Sequence, residues 1–335
     1  FKQKTAYEIG VRLVGSEMCI RDRYTIGGSF WESGEPDWSL SKYFVMFGVA
    51  EDMLGNSFKA GLATLKATGA KFLSVNPIKT GYSAIADEWL GIQPGTDGIF
   101  VLALIHELLK SDAIDLDYIV RYTNLPWLVI QNPGEPDNGL FARGENNEPL
   151  CWDGAKKFIT DALKPDVTPA LAGVQRLPDG RKVIPAFELM ARRYLDTAYS
   201  PETAARATNI PADTIRRIAA ELAETAFKDE IEIVLAWTDW AGRKHPTTKG
   251  RPVAIHAMRG ISAHSNGFHT CRAIHLLQIL LGSIDCPGGF RYKPPFPVVP
   301  PAHLKHSDEY KQSSPNGDMP GVAPVSYTHL TLPTI

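Results

Sequence analysis

Cysteine is scarce. The 335 residues hold four, Cys19, Cys151, Cys271 and Cys286, and no two form a C-x-x-C pair. That argues against a disulfide framework and against a zinc or iron–sulfur site built from this stretch. Reduced thiols fit a cytoplasmic setting. No apolar run reaches bilayer length: the longest, Ile99–Leu109, is broken by His106 and Glu107. No sign of charge dominates, with 35 Lys and Arg against 37 Asp and Glu, interspersed, so the basic stripe of a nucleic-acid binder is missing. No signal peptide, internal repeat or low-complexity block is visible in the residues given. No H-E-x-x-H, pair of catalytic carboxylates or Ser-His-Asp order stands out. Where a dinucleotide fold needs G-x-G-x-x-G after its first strand, the chain reads FGVAEDMLGN. A nicotinamide-dependent dehydrogenase is thereby disfavoured.

What is present is a core-forming chain. Its 44% hydrophobic content suffices for one large α/β domain or two smaller ones. Both ends read as foreign: residues 1–23 stop abruptly at Tyr24, and 325–335, VSYTHLTLPTI, follow a proline-rich segment, 298–324, without core logic. Both resemble adapter read-through and are set aside. Tyr24–Ser33 reads as a glycine-rich loop. Tyr43–Ala50, YFVMFGVA, is a run suited to a strand buried on both faces. Asn56 caps a helix with Phe58, Gly61, Leu62 and Leu65 at helical spacing, ended by Gly69. Lys71–Val75 is a second strand, stopped by Asn76-Pro77. This βαβ spacing predicts a doubly wound, mainly parallel sheet flanked by helices. Ala86–Ile92 adds an extended segment and Gly98–Lys110 a helix capped by Thr96 or Asp97. Residues 125–185 read as an irregular insertion. Helices follow at Ala186–Leu195, from Pro201, and at Pro211–Phe227 with Pro211 at N1. Ile231–Trp237 returns to strand character.

The densest polar cluster is Ala257–Pro297. Arg259, Gly260, Ser262, His264, Ser265, Asn266, Gly267 and His269 precede an apolar helix at Thr270–Leu281. Such groups are costly to bury unpaired, so the turn either grips a polar ligand or simply caps a core helix. Loops that follow parallel strands gather at the sheet's carboxyl edge, where ligands bind. Gly48–Asn56, Asn76–Thr80 and Gln93–Gly98 qualify. Asn76 suits a ribose or base edge, or a plain turn. Pro94-Gly95-Thr96-Asp97 suits an anion at a helix N-terminus, or a plain cap. His264 and His269, five apart across a glycine, are candidate ligand or substrate contacts and not a metal pair. His256 and His275 read as structural. Arg291, after Gly288-Gly289, presents a guanidinium to an anion, or lies on a surface turn.

The ordered set of FG after the first strand, NPIKTGYSAIADEWLGIQPGTDG, RYTN, PADTIRRIAAELA and RGISAHSNGFHTCRAIHLLQILLGSIDCPGG resembles the dimethyl sulfoxide reductase family of molybdopterin oxidoreductases over residues 24–297. The resemblance implies the α/β domain that grips one guanosine end of a bis(molybdopterin guanine dinucleotide)-molybdenum cofactor. It places cofactor contacts on Gly48, Asn76, Pro77, Lys79, Pro94, Gly95, Thr96, Asp97, Arg259, Gly260, Ser262 and Ser265. It offers Arg291 and His264 to the substrate as catalytic residues. Many members read D-P-R where this chain reads Asn76-Pro77-Ile78. No match to the family's iron–sulfur cysteines or molybdenum ligand precedes Tyr24, so the chain implies an internal fragment with both expected upstream. GGSFWESGEPDW, WTDWAGRKHP and RGISAHSNGFHTCRA look most like the cytoplasm-facing sulfite dehydrogenase type. That type oxidises an inorganic oxyanion. It passes electrons to iron–sulfur and membrane-anchor partner subunits at the inner membrane, with no nucleic acid involved. Thiosulfate, tetrathionate or polysulfide reductase and formate dehydrogenase are alternatives within the family. A nucleotide-binding module without redox chemistry is the alternative outside it.

Overall fold

A computed structural model describes residues 35–49, 57–79, 81–239, 242–257, 259–262 and 264–291, with backbone alone at Ser57, Arg259, Ser262 and Arg291. The two foreign-looking ends, the glycine-rich loop from Tyr24, the 298–324 segment and the Asn56 cap lie outside the described residues. The central sheet has four parallel strands, β1 Tyr43–Phe47, β2 Lys71–Val75, β3 Glu88–Leu90 and β4 Val253–Ala257, in the order β4-β1-β2-β3. Every residue of β1 is buried, as its unbroken apolar run requires. Alternation then divides the strands between two cores. Phe44, Met46, Phe72 and Ala254 pack with Leu62 and Leu65 of α1, Ser57–Ala67. Tyr43, Val45, Phe47, Leu73, Val75, Val253 and Ile255 pack with three helices on the other face. These are α2 Asp97–Lys110, α3 Ala212–Phe227 and α4 Gly267–Leu280. Helices on both faces make the sheet doubly wound.

α2 and α4 cross tightly at Gly98. A Cβ there would lie 2.7 Å from Thr270 Oγ1, so only glycine lets the two helices approach this closely. The Thr96 hydroxyl does not cap α2; it donates to the Gln93 carbonyl at 2.7 Å. Pro211 is the N-cap of α3 and not its first helical residue. At the amino edge of the sheet, Tyr43 Oη donates to Glu221 at 2.8 Å and Lys71 Nζ lies 2.6 Å from the same carboxylate. Arg217 joins Glu221 at 2.7 Å and also pairs with Glu88. Beside that edge, Arg251 Nε donates to Asp115 at 2.8 Å, and its guanidinium stacks 5.0 Å over Phe227.

Residues 125–185 pair locally. Leu128–Gln131 lies antiparallel to Lys182–Pro185, which also takes Gln175–Arg176; Leu150–Asp153 pairs with Phe158–Asp161. Leu128, Ile130, Ala142, Leu177 and Val183 form a separate small core there. The apolar run Ile231–Trp237 does not enter the main sheet. Only Ile231–Ile233 pairs, with Thr248–Gly250, while Trp237–Thr238 pairs with Lys244–His245. Val234 and Leu235 are 90% and 60% exposed. β4 takes the place beside β1 instead, matching it residue for residue from Val253 to Ala257. Among the described residues no helix is long and apolar enough to cross a membrane.

Candidate ligand edge of the sheet

The last residues of all four strands share one rung: Ala257 pairs with Phe47, Phe47 with Val75, and Val75 with Leu90. The segments that follow therefore leave the sheet side by side. The chain winds from β1 toward β2 and β3 on one side, while β4 lies on the other. The switch point between β1 and β4 is where an open α/β sheet leaves a crevice for a ligand.

Two glycines meet at this switch point. Gly48 follows β1 at φ 57° and donates its N–H to the Val75 carbonyl at 3.0 Å. A Cβ on Gly48 would stand 3.2 Å from Ile261 Cγ1, and one on Gly260 would stand 3.0 Å from the Gly48 carbonyl oxygen. Bare backbone is thus what lets the segment after β4 close on the segment after β1. Arg259, Gly260 and Ser262 lie on the short helix Arg259–Ser262; the Arg259 and Ser262 side chains are outside the described residues. Ser265 is exposed just beyond it.

After β2, Asn76 folds back on its own turn. Its Oδ1 accepts from the Ile78 N–H at 3.3 Å, and its carbonyl accepts from Trp89 Nε1 at 2.8 Å. Lys79 Nζ lies 5.9 Å over the Trp89 ring, and Pro77 and Lys79 are exposed. The Asn76 carbonyl oxygen therefore serves to seat Trp89, while Lys79 supplies the exposed cation of this rim.

After β3, Gly95 takes φ 78°, and Asn266 Nδ2 donates to its carbonyl at 3.0 Å. The His264 ring packs beside Gly95, with Nδ1 3.5 Å from where a Cβ would sit. Asp97 is 6% exposed at the first turn of α2. Burial pushes its carboxyl above the ordinary range, against the pull of its own backbone N–H and of His264. A buried carboxylate at this helix start disfavours the phosphate that the bare sequence suggests. It suits a ligand N–H or O–H donor instead. The structure thus brings Gly48 and Gly260 together after β1 and β4, and Gly95, Asp97, His264 and Asn266 together at the start of α2. In the sequence, the Asn266–Gly95 link shows only as one more polar residue before Gly267.

Arg291 arrives differently. Its turn is anchored at the amino end of β1 and β4, where the Gly288 carbonyl accepts from Ser41 Oγ at 2.6 Å. The chain then runs along β4, and the backbone of Arg291 pairs with Glu35; its side chain is outside the described residues. His269 sits within α4, edge-on to Phe268 at 5.4 Å. His275 and His256 are buried at 5% and 3% exposure. Among the described residues no cluster of three or more His, Cys, Asp or Glu is placed to hold a metal.

No protein-family model matches the chain. It is 49% identical over 288 residues to a sulfite dehydrogenase subunit of Allochromatium vinosum, covering 83% of this chain and 30% of that one. It is 25% identical over 223 residues to the alpha chain of perchlorate reductase of Dechloromonas aromatica, covering 56% and 24%. It is 26% identical over 228 residues to the major chain of formate dehydrogenase of Haemophilus influenzae, covering 67% and 19%. The chain spans less than a third of the length of each. By sequence it belongs to the dimethyl sulfoxide reductase family of molybdopterin oxidoreductases.

Proposed function

We propose that residues 35–291 hold the guanosine end of a bis(molybdopterin guanine dinucleotide)-molybdenum cofactor, within a catalytic subunit that oxidises sulfite to sulfate. The observation that carries the cofactor reading is the shared rung of four strand ends with Gly48, Gly260, Gly95 and buried Asp97 beside it. The donor set fits a nucleotide. Asp97 accepts from the N–H edge of a purine. Gly48 and Gly260 leave the backbone open to close approach. Pro94, Gly95 and Thr96 form a wall that Asn266 holds in place. Asn76, Pro77 and Lys79 border the opposite rim, and Lys79 brings positive charge to phosphates. Arg259, Ser262 and Ser265 supply further donors.

When bound, the molybdenum cofactor supplies the two-electron oxidation, with the added oxygen taken from water. This chain's part is to bind and orient it. Arg291 offers a planar fork of donors to the oxyanion. His264, seated against Gly95, is the second candidate contact to the substrate. Sulfite is favoured over other substrates by the 49% identity to a sulfite dehydrogenase. The reading extends to iron–sulfur clusters outside these residues, an electron-transfer partner and a membrane anchor at the cytoplasmic face of the inner membrane.

The test is sulfite-dependent reduction of an artificial electron acceptor by the intact catalytic subunit, with molybdenum and guanine measured in the same preparation. Sulfite turnover with both present supports the reading. Activity with formate or thiosulfate and none with sulfite would overturn the substrate. A preparation holding neither molybdenum nor guanine would overturn the cofactor and leave a nucleotide-binding module without redox chemistry.

A further inference from the structure

His256 is the penultimate residue of β4, and neither of its ring nitrogens has a hydrogen-bond partner. Its ring packs against two phenyl rings, Phe58 at 4.6 Å and tilted by 40°, and Phe290 at 5.7 Å and stacked at 25°. Phe58 belongs to the first turn of α1, the helix between β1 and β2. Phe290 belongs to the strand pair that brings in Arg291. One imidazole thus joins two segments far apart in sequence. Phe58 also touches Trp38 at 4.9 Å and Tyr82 at 5.9 Å. A leucine or phenylalanine would fill the slot without burying two unpaired ring nitrogens. What histidine adds is the ability to take a proton.

We propose that His256 is an acid-released latch: the neutral ring clips the start of α1 to the Phe290 strand, and protonation expels it and frees both segments. Among the described residues no charged partner faces the ring. β1 presents Phe44 and Met46 on this side. On α1, Lys59 and Lys66 are exposed, and Lys66 pairs with Asp87. The 81–84 turn brings only Tyr82, whose hydroxyl is also buried without a partner. In the segment before β1, Glu35 accepts from Trp38 Nε1 and Asp37 from the Gly288 N–H. In the last turn, Asp285 is exposed and Cys286 Sγ accepts from the Arg251 N–H. Burial alone pushes the imidazole down to about 3 from 6.5. The faces of two phenyl rings attract an imidazolium, but that attraction does not replace the water lost. A released ring titrates near its ordinary value, so the latch is shut above that value and loosens as pH falls from there toward 3.

Hydrogen exchange of the whole chain at about pH 7.5 and about pH 4.5, corrected for intrinsic rates, tests the latch. In the wild type, amides of 58–62 and 286–290 lose about ten- to a hundredfold protection at the lower pH, while those of α2 keep theirs. In His256→Phe all three keep their protection. Equal loss in His256→Phe, or no loss in the wild type, overturns the latch. If His256→Phe does not fold, NMR titration of the wild-type imidazole decides. Charging in step with the opening of the two segments supports the latch, and opening around a ring that stays neutral overturns it.

Discussion

Asn266 donates its side-chain amide to the Gly95 carbonyl at 3.0 Å, across 171 residues of chain. That bond fastens the segment after β4 to the segment after β3. Asn266→Ala removes it. The expected result is a five- to tenfold weaker affinity for guanosine diphosphate, matching the about 1 kcal/mol of a net hydrogen bond. Titration calorimetry on the chain reads it. Reduced stability with unchanged affinity would mean that the bond serves folding and not the site.

Gly48 and Gly69 separate strain from function. Both have positive φ, 57° and 77°. A Cβ at Gly69 meets nothing within 4 Å, whereas at Gly48 it meets Ile261. Each Gly→Ala change costs about 1–2 kcal/mol from the left-handed backbone. Only Gly48→Ala should also weaken guanosine diphosphate binding, because only there must the switch point widen. Equal affinity in the two variants, measured beside urea unfolding, would contradict the assignment.

Asp97 predicts opposite effects on stability and binding. Burial raises its carboxyl above the ordinary value of 3.8. A raised acid contributes stability that is fully present below the unfolded value and is lost as pH rises through the folded one. Asp97→Asn should therefore be more stable than the wild type near neutral pH, with the advantage vanishing below about pH 4. Its nucleotide affinity should fall at least tenfold, because an acceptor has become a partial donor. Urea midpoints across pH, paired with titration at neutral pH, check both halves.

Glu221 behaves with the opposite sign. Burial works against its charge, but hydrogen bonds from Lys71, Tyr43 and Arg217 prevail and hold the carboxyl below 4.5. A depressed acid gives stability above its unfolded value, lost as pH falls through the folded one. The site is partly open to solvent, so Glu221→Gln should cost only about 1 kcal/mol at neutral pH. The cost should disappear in acid. A pH-independent difference in urea midpoint would show that packing, and not charge, is what the variant removes.

The strands and the site differ in how far they can be read from the sequence. YFVMF and KFLSV announce themselves as buried strands, and both occupy the expected places. Ile231–Trp237 carries the same apolar signal, yet it lies largely on the surface, because apolar content says nothing of which run pairs with β1. The segments at the carboxyl edge follow from strand order and turn residues. What no local pattern shows is that Asp97 is buried, that Asn266 reaches Gly95, or that Gly260 sits against Gly48. Each of these depends on register across β4, β1, β2 and β3. The Asp115–Arg251 pair is equally hidden, since 136 residues separate its members.

Whether the sheet edge is a guanine nucleotide site is decided by binding of guanosine diphosphate to the 335-residue chain, compared with adenosine diphosphate and repeated with Asp97→Asn. Saturable binding of the guanine nucleotide, weaker for adenine and lost in Asp97→Asn, is the predicted result. Binding that ignores both the base and Asp97 would contradict the assignment of this edge.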